Sequence, residues 1–325
     1  LVSGANYCFT VRAIKNVSDR ITSSSNQVCI TLDIPKRQDY SYNYRTTVQP
    51  GNTGVEEYFY ADNTAEFLGF DIQRGTDPNS LSTIWFIPFD ATANYYEYTD
   101  PGASPGTESY YYAIVGIDNC DLPADTMNIS RTIFLEAEAN TDRTNSLQWN
   151  SYEGWLGGVD SYNIYRSYDG PFEFLETVPN GQLSFLDNIE EIIIGEGNFC
   201  YYIEAVSGTG PPVGPLALPF DDILSRSNEA CAKQNPNIFM PNAFMPEGIN
   251  NIFKPVNLYV ESSSYLFVIY NRWGEKLFET TNPNEGWNGS HAGKKDPQGA
   301  YVYYVQFVSS EGQTYSKSGS VTLIR

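Results

Sequence analysis

A single histidine, His291, serves a chain of 325 residues, and methionine occurs only three times. One imidazole can form neither a histidine acid–base pair nor a histidine-rich metal centre. Basic residues are outnumbered 19 to 39 and the formal net charge is −20, which excludes the basic face that nucleic acid requires. No apolar run approaches the ~18 residues of a membrane span; the longest tight patch is Ile192-Ile193-Ile194. No long segment carries its apolar residues at a 3.6 period, so no helical layer is expected. A Gly-x-Ser-x-Gly elbow, a His-Glu-x-x-His pair and a glycine-rich phosphate loop are all missing, and no enzyme activity is expected. The sequence opens with neither an initiator Met nor a basic-plus-apolar leader, so residue 1 is expected to lie inside a longer precursor.

What is abundant points to β-structure. Tyrosine occurs 25 times and apolar residues make up 41%, enough for two or three domain cores. Five cysteines fall at 8, 29, 120, 200 and 231, four of them in matching text. Tyr7-Cys8-Phe9-Thr10-Val11-Arg12-Ala13 parallels Phe199-Cys200-Tyr201-Tyr202-Ile203-Glu204-Ala205. Ser25-Asn26-Gln27-Val28-Cys29 likewise parallels Ser227-Asn228-Glu229-Ala230-Cys231. Facing antiparallel strands hold Cβ atoms at about the separation that a disulfide needs. Bridges Cys8–Cys29 and Cys200–Cys231 are therefore predicted, and with them an oxidising compartment. Cys120 has no partner in view, and no CxxC spacing suggests a zinc site.

The cysteine text belongs to a repeat of about 100 residues and around seven short strands, the pattern of an immunoglobulin-like sandwich. Asp160–Ser167, Phe172–Val178, Leu183–Asp187 and Phe199–Val206 form one copy. Gly69–Gly75, Leu81–Phe86, Tyr95–Asp100 and Tyr110–Val115 form an earlier one, in which Tyr111 and Thr132 stand about where the cysteines should be. The expected division is 1–35, the last strands of a truncated copy; 36–137 and 138–235, two full sandwiches; and 236–325, a further all-β sandwich. Pro211-Pro212-Val213-Gly214-Pro215 and Gln234-Asn235-Pro236 precede that last boundary. In the final segment Phe267, Ile269, Tyr301, Tyr303 and Val305 alternate as one-face strand residues, and Trp273 and Trp287 are expected to fill its core.

The Leu-x-Trp at 147–149, the Tyr162-Asn163-Ile164-Tyr165-Arg166-Ser167 strand and the Cys-Tyr strand before Ser-Asn-x-x-Cys resemble fibronectin type III domains near the ends of Bacteroidetes surface proteins. The last segment holds, in order, Pro241-Asn242-Ala243-Phe244, Tyr270-Asn271-Arg272-Trp273-Gly274, Gly286-Trp287-Asn288-Gly289, Pro297-Gln298-Gly299-Ala300-Tyr301 and a closing Gly319-Ser320-Val321-Thr322-Leu323-Ile324-Arg325. This text resembles the gliding-motility-associated C-terminal domain, the type B sorting signal of the type IX secretion system. The resemblance implies export across the outer membrane to the cell surface or medium. The implied partners are the type IX outer-membrane translocon and a PorP/SprF-type outer-membrane protein. It further implies an SprB-like gliding adhesin or a relative. Where the family carries an Asn-Gly-Asp-Gly-x-Asn-Asp stretch, this chain has Glu247-Gly248-Ile249-Asn250-Asn251, and Asn288 replaces a common Asp. Both changes remove carboxylates, so no cofactor is expected and calcium is disfavoured in that loop.

The other polar features have plain readings. His291 sits in a polar turn, and Glu190-Glu191 and Asp221-Asp222 are read as solvated pairs. Asp125-Thr126-Met127 resembles the Asp-Thr-x acceptor for O-glycosylation, making Thr126 a candidate; the sequons at Asn16, Asn128 and Asn288 are read as coincidental. Two other roles stay open: a spacer and sorting region of a polysaccharide-degrading enzyme, or sugar stacking on a row of Tyr95, Tyr96, Tyr98 and Tyr110. The charge divides sharply. Residues 236–325 hold seven basic and seven acidic side chains, while the other twelve basic and thirty-two acidic residues all precede them.

Overall fold

The computed structural model describes residues 4–15, 21–32, 36–192, 195–209, 223–260, 264–308 and 312–325. The proline-rich stretch at 211–215, Asp221-Asp222 and the sequon at Asn16 lie outside the described residues. Among the described residues regular structure is all strand, apart from one 3-10 turn at Pro50–Asn52. No helix there is long and apolar enough to cross a membrane.

Two short hairpins open the chain. β1 (Asn6–Phe9) pairs with β4 (Val28–Thr31), and β2 (Arg12–Ile14) with β3 (Thr22–Ser24). Cys8 faces Cys29 and the two are bonded, as predicted. Phe9, Val11, Val28 and Ile30 are all exposed, whereas Tyr201 and Ile203, the equivalents of Phe9 and Val11 in the later copy, are fully buried.

The next strands are β5 (Ser41–Val48), β6 (Val55–Ala61), β7 (Phe67–Gly75), β8 (Ser82–Pro88), β9 (Tyr95–Asp100), β10 (Tyr111–Asp118), β11 (Pro123–Thr126) and β12 (Ser130–Arg131). They form a three-stranded sheet β5-β6-β9 and a second sheet β11-β10-β7-β8, with β12 also on β10. The same plan recurs in β13 (Leu135–Ala139), β14 (Thr144–Trp149), β15 (Val159–Tyr168), β16 (Glu173–Pro179), β17 (Ser184–Asn188), β18 (Asn198–Ser207), β19 (Leu224–Arg226) and β20 (Ala230–Lys233). There β13-β14-β17 opposes β16-β15-β18-β19, with β20 on β18. This is the tandem fibronectin type III-like sandwich architecture expected from the sequence. Alternation drives it: along β18 every second residue from Phe199 to Ser207 is buried.

One polar device recurs in both copies. Asp100 on β9 accepts from Arg74 (2.6 Å) and from the Tyr112 hydroxyl (2.8 Å). Asp187 on β17 likewise accepts from Arg166 (2.9 Å) and Tyr201 (2.7 Å). Each carboxylate sits on the three-stranded sheet while its partners sit on the facing one, so the triad bolts the two sheets together. A second device is an asparagine that mimics a strand. Asn128 bonds the N–H and C=O of Asn43, and Asn228 those of Leu135.

The cross-strand bond differs between copies. Cys200 faces Cys231 and is bonded to it. At the equivalent place Tyr111 faces Arg131, not Thr132, and the Arg131 guanidinium lies 5.0 Å from the Tyr111 ring centre. The register, counted three residues on from Asn128 as Cys231 is from Asn228, corrects the expected position by one. A cation–π contact thus stands where the other copies have a disulfide.

The two sandwiches interlock. β19 lies along β5: Ser225 Oγ donates to the Thr46 carbonyl (2.7 Å) and the Arg226 N–H to Thr47 Oγ1 (2.9 Å). Asn52 exchanges two bonds with the Glu229 backbone, and Trp155 Nε1 donates to the Tyr44 carbonyl. Tyr42 is buried in the core of the following sandwich. Beneath this seam Glu57 is fully buried, accepting from Thr46 Oγ1 and Asn43 Nδ2, while the Thr46 N–H donates to the Tyr152 hydroxyl across the junction. Burial pushes the Glu57 carboxyl up to about 8.

Two outcomes are expected. Asp187→Ala leaves Arg166 and Tyr201 without their buried acceptor and should lower the stability of its sandwich by about 3–5 kcal/mol, and Cys231→Ser by about 3–4 kcal/mol. Both are measurable in guanidinium chloride through Trp149 and Trp155 fluorescence. Because Glu57 holds its proton in the folded chain to about pH 8, the unfolded chain releases that proton first. Stability should therefore fall as pH rises from about 4.5 toward 8 and then level off. Glu57→Gln should flatten this slope in melts taken across that window.

Candidate functional site

The terminal segment is built from β21 (Asn237–Phe239), β22 (Ala243–Phe244), β23 (Val256–Leu258), β24 (Leu266–Tyr270), β25 (Lys276–Thr280), β26 (Ser290–His291), β27 (Lys294–Lys295), β28 (Gly299–Val308) and β29 (Thr314–Leu323). Its main sheet runs β22-β29-β28-β24-β25; the two-stranded pieces β21-β23 and β26-β27 complete it. Phe267, Ile269, Tyr301, Tyr303 and Val305 all face its core, as their alternation predicts.

The sequence motifs sort into three physical roles. Phe244, Trp287, Tyr301 and Leu323 are core residues. The fully buried Trp287 ring packs against Phe244 (5.3 Å) and edge-on to Tyr301 (4.7 Å), and its Nε1 donates to the Ser290 carbonyl. A second group shapes backbone. Asn242 and Phe244 offer carbonyls to the Thr322 and Ile324 N–H groups, seating β22 parallel to β29 beside the partly buried Pro241. Buried Gly289 has φ +76°, and a Cβ there would meet Leu323 and Pro246 at 2.8 Å, so only glycine fits. Gly299 opens β28. Arg325 closes the arrangement, donating to the Asp296 and Gly289 carbonyls (3.0 and 2.9 Å).

The third group is on the surface, and here the expectation for Trp273 is overturned: its side chain is 81% exposed. The turn that holds it is closed by its own hydrogen bonds and projects the indole outward. Asn271 Oδ1 accepts from the Trp273 and Glu275 N–H groups, Asn271 Nδ2 donates to Glu275, and Gly274 takes φ +81°. Tyr270 is half-buried at the foot of this turn, and Arg272 lies over the indole at 5.4 Å.

The remaining candidates are dispersed. Thr126 is exposed on the edge strand β11. Asn128 is committed to Asn43 and Gly154, and Ser130 of its sequon is buried. His291 is half-buried in the β26–β27 hairpin rather than free in a turn. Glu190 and Glu191 are exposed, with Glu190 beside Arg143. Glu247 meets Lys295 and Arg325, which hold its carboxyl below the usual range. Among the described residues no cluster of three or more His, Cys, Asp or Glu side chains is placed to hold a metal ion. Cys120 is exposed in the β10–β11 loop. The supposed tyrosine row breaks up, because strand alternation turns Tyr96 into the core and Tyr110 is buried too. Tyr95 lies on the outer face against Tyr58 and Tyr60, while Tyr98 stacks on Trp85.

Sequence reasoning did not single out Tyr259. This terminal-segment residue is seated in the core of the preceding sandwich, edge-on to Phe199 at 6.0 Å, in the space that Gly197 leaves by lacking a Cβ. Just before the boundary Gln234 bonds Asn145 and Thr144 and fixes where the terminal segment starts, and with Tyr259 seated beyond it the terminal domain is docked rather than loosely strung.

Residues 234–323 match the family model described as the CHU_C Type IX secretion signal domain. The chain therefore ends in a type IX sorting domain after fibronectin-like sandwiches, and that domain indicates export across the outer membrane, to the surface or the medium. Among solved structures, the crystal structure of chicken CNTN1 FN1-FN3 domains is similar at 12% identity over 88% of this chain and 99% of that one, with a TM-score of 0.23. No curated protein matches the chain.

Trp287→Ala should destabilise the terminal domain by about 3–5 kcal/mol, and Gly289→Ala by about 1–3 kcal/mol through strain and overpacking. Thermal melts of the full chain read both.

Proposed function

We propose that this chain is the C-terminal part of a non-enzymatic, adhesin-type surface protein. Its last domain is read by the type IX translocon together with a PorP/SprF-type outer-membrane protein, and the sandwiches before it form a stalk. The observation that carries this reading is the family match at 234–323 on a domain with its own aromatic core. Charge supports it. The sorting domain is neutral, while the sandwiches hold the whole acidic excess, which keeps exported copies apart in solution. The interlocked seam and the Tyr259 anchor support a stiff stalk in which the second full sandwich, 138–235, and the signal travel as one body.

Because Tyr259 needs the preceding sandwich, the reporter to test is a periplasmic protein fused to residues 138–325. In a type IX-competent bacterium it should appear outside the outer membrane, whereas a fusion to 138–235 should stay in the periplasm. Equal retention of both, with the accessory protein present, would falsify the sorting role.

A further inference from the structure

Between the 271–275 turn and the segment leading into β28 lies a groove of about 380 Å³, lined by Trp273, Glu275, His291, Asp296, Gln298 and Tyr301 among others. Its floor carries the half-buried Asp296, whose enclosed Oδ2 has no hydrogen-bond partner, with the charges of His291, Arg325 and Glu275 facing it. The residue is fixed at both ends of its backbone, its N–H bonded to the Gly289 carbonyl and its own carbonyl held by Arg325. Burial also raises the Asp296 carboxyl above the usual range. At the rim the indole of Trp273 stands on a turn already locked by Asn271. A large aromatic ring, a carboxylate on a pinned backbone and the Arg272 guanidinium around one concavity are the chemistry that anchors protein interfaces. Because the turn is rigid, little ordering cost falls on binding.

We propose that this groove is where the terminal domain is gripped, by a protein loop that covers Trp273 with an apolar socket and sets an arginine or lysine donor on Asp296. The inference deepens the sorting reading above and rests on it. A lipid surface fits less well. Immersing Trp273 in a bilayer would drag Glu275 and Asp296 into a medium that penalises carboxylates. A protein partner can answer the same groups with donors. Oδ2 is closed off as it stands, so the side chain must turn toward the groove to meet a donor, and the cost of leaving the acceptor unpaired favours a partner that brings one.

The test uses the whole chain, directed to the periplasm of a type IX-competent bacterium, with Trp273→Ala, Trp273→Phe, Asp296→Asn, Trp85→Ala and a truncation lacking 236–325. Trp85 is the control, an exposed tryptophan on the remote β8. Melting of purified Trp273→Ala should match the parent, because an exposed side chain away from the core contributes little to stability. Its capture should weaken roughly thirty-fold, the scale of an interface anchor, leaving it in the periplasm. Trp273→Phe should restore part of the export, Asp296→Asn should slow it, and Trp85→Ala should leave it unchanged. Wild-type export of folded Trp273→Ala, with the truncation still retained, overturns the groove and leaves the sorting role standing. Wild-type export of the truncation overturns the sorting role itself. Wild-type export of Asp296→Asn overturns the donor assignment. Binding of the purified chain to phosphatidylethanolamine–phosphatidylglycerol vesicles that is lost in Trp273→Ala overturns the protein partner in favour of a lipid one.

Discussion

The carboxylates of Asp100 and Asp187 set the spacing and register of the two full sandwiches. Each lies on the last strand of a three-stranded sheet and is gripped from the facing sheet by an arginine and a tyrosine. Apolar packing alone tolerates sliding, whereas a buried charge with two directed donors accepts one geometry. Such a group adds little net stability when complete and costs several kcal/mol when broken. Its effect is to make one arrangement of sheets far better than its neighbours. The terminal domain solves the same problem with rings: Phe244, Phe253, Trp287 and Tyr301 interdigitate, and their shapes rather than charges fix the sheet. The charge boundary at residue 236 thus coincides with a change in how the core is specified.

Between the sandwiches the seam is polar and closed. Domains joined by a flexible linker normally meet over modest, mobile surfaces. Here β19 lies along β5, Tyr42 crosses into the neighbouring core, and Glu57, Thr46 and Tyr152 form a buried relay beneath. Orientation between the two is therefore built in.

Much of this was written in the sequence. The disulfides are legible because similar text, Ser-Asn-x-x-Cys above all, flanks each pair, and the strand order is legible because tyrosine-rich alternation and turns repeat on one period. Three features escaped. The general habit of tryptophan points Trp273 to the core, although Asn271 and Gly274 around it encode a tight turn that leaves an indole outside. The Tyr111 partner was misplaced by one residue, yet Asn-x-x-Cys in two copies and Asn128-x-x-Arg131 in the third would have located it. Tyr259 was invisible because its partner, the missing Cβ of Gly197, is an absence sixty-two positions away.

The disulfide that one sandwich keeps and its neighbour lacks matters when the chain is pulled. With Cys200 and Cys231 joined across a separation of 31 residues, roughly 100 Å of contour at ~3.4 Å per residue cannot be paid out. The neighbouring sandwich holds the same point with only Arg131 over Tyr111, a contact that yields and re-forms without chemistry. Under load the sandwich beside the terminal domain can release only the residues outside that closed loop, while the one before it can unreel completely. Extensibility is therefore graded along the chain, lower by one closed loop next to the terminal domain and complete one sandwich further out.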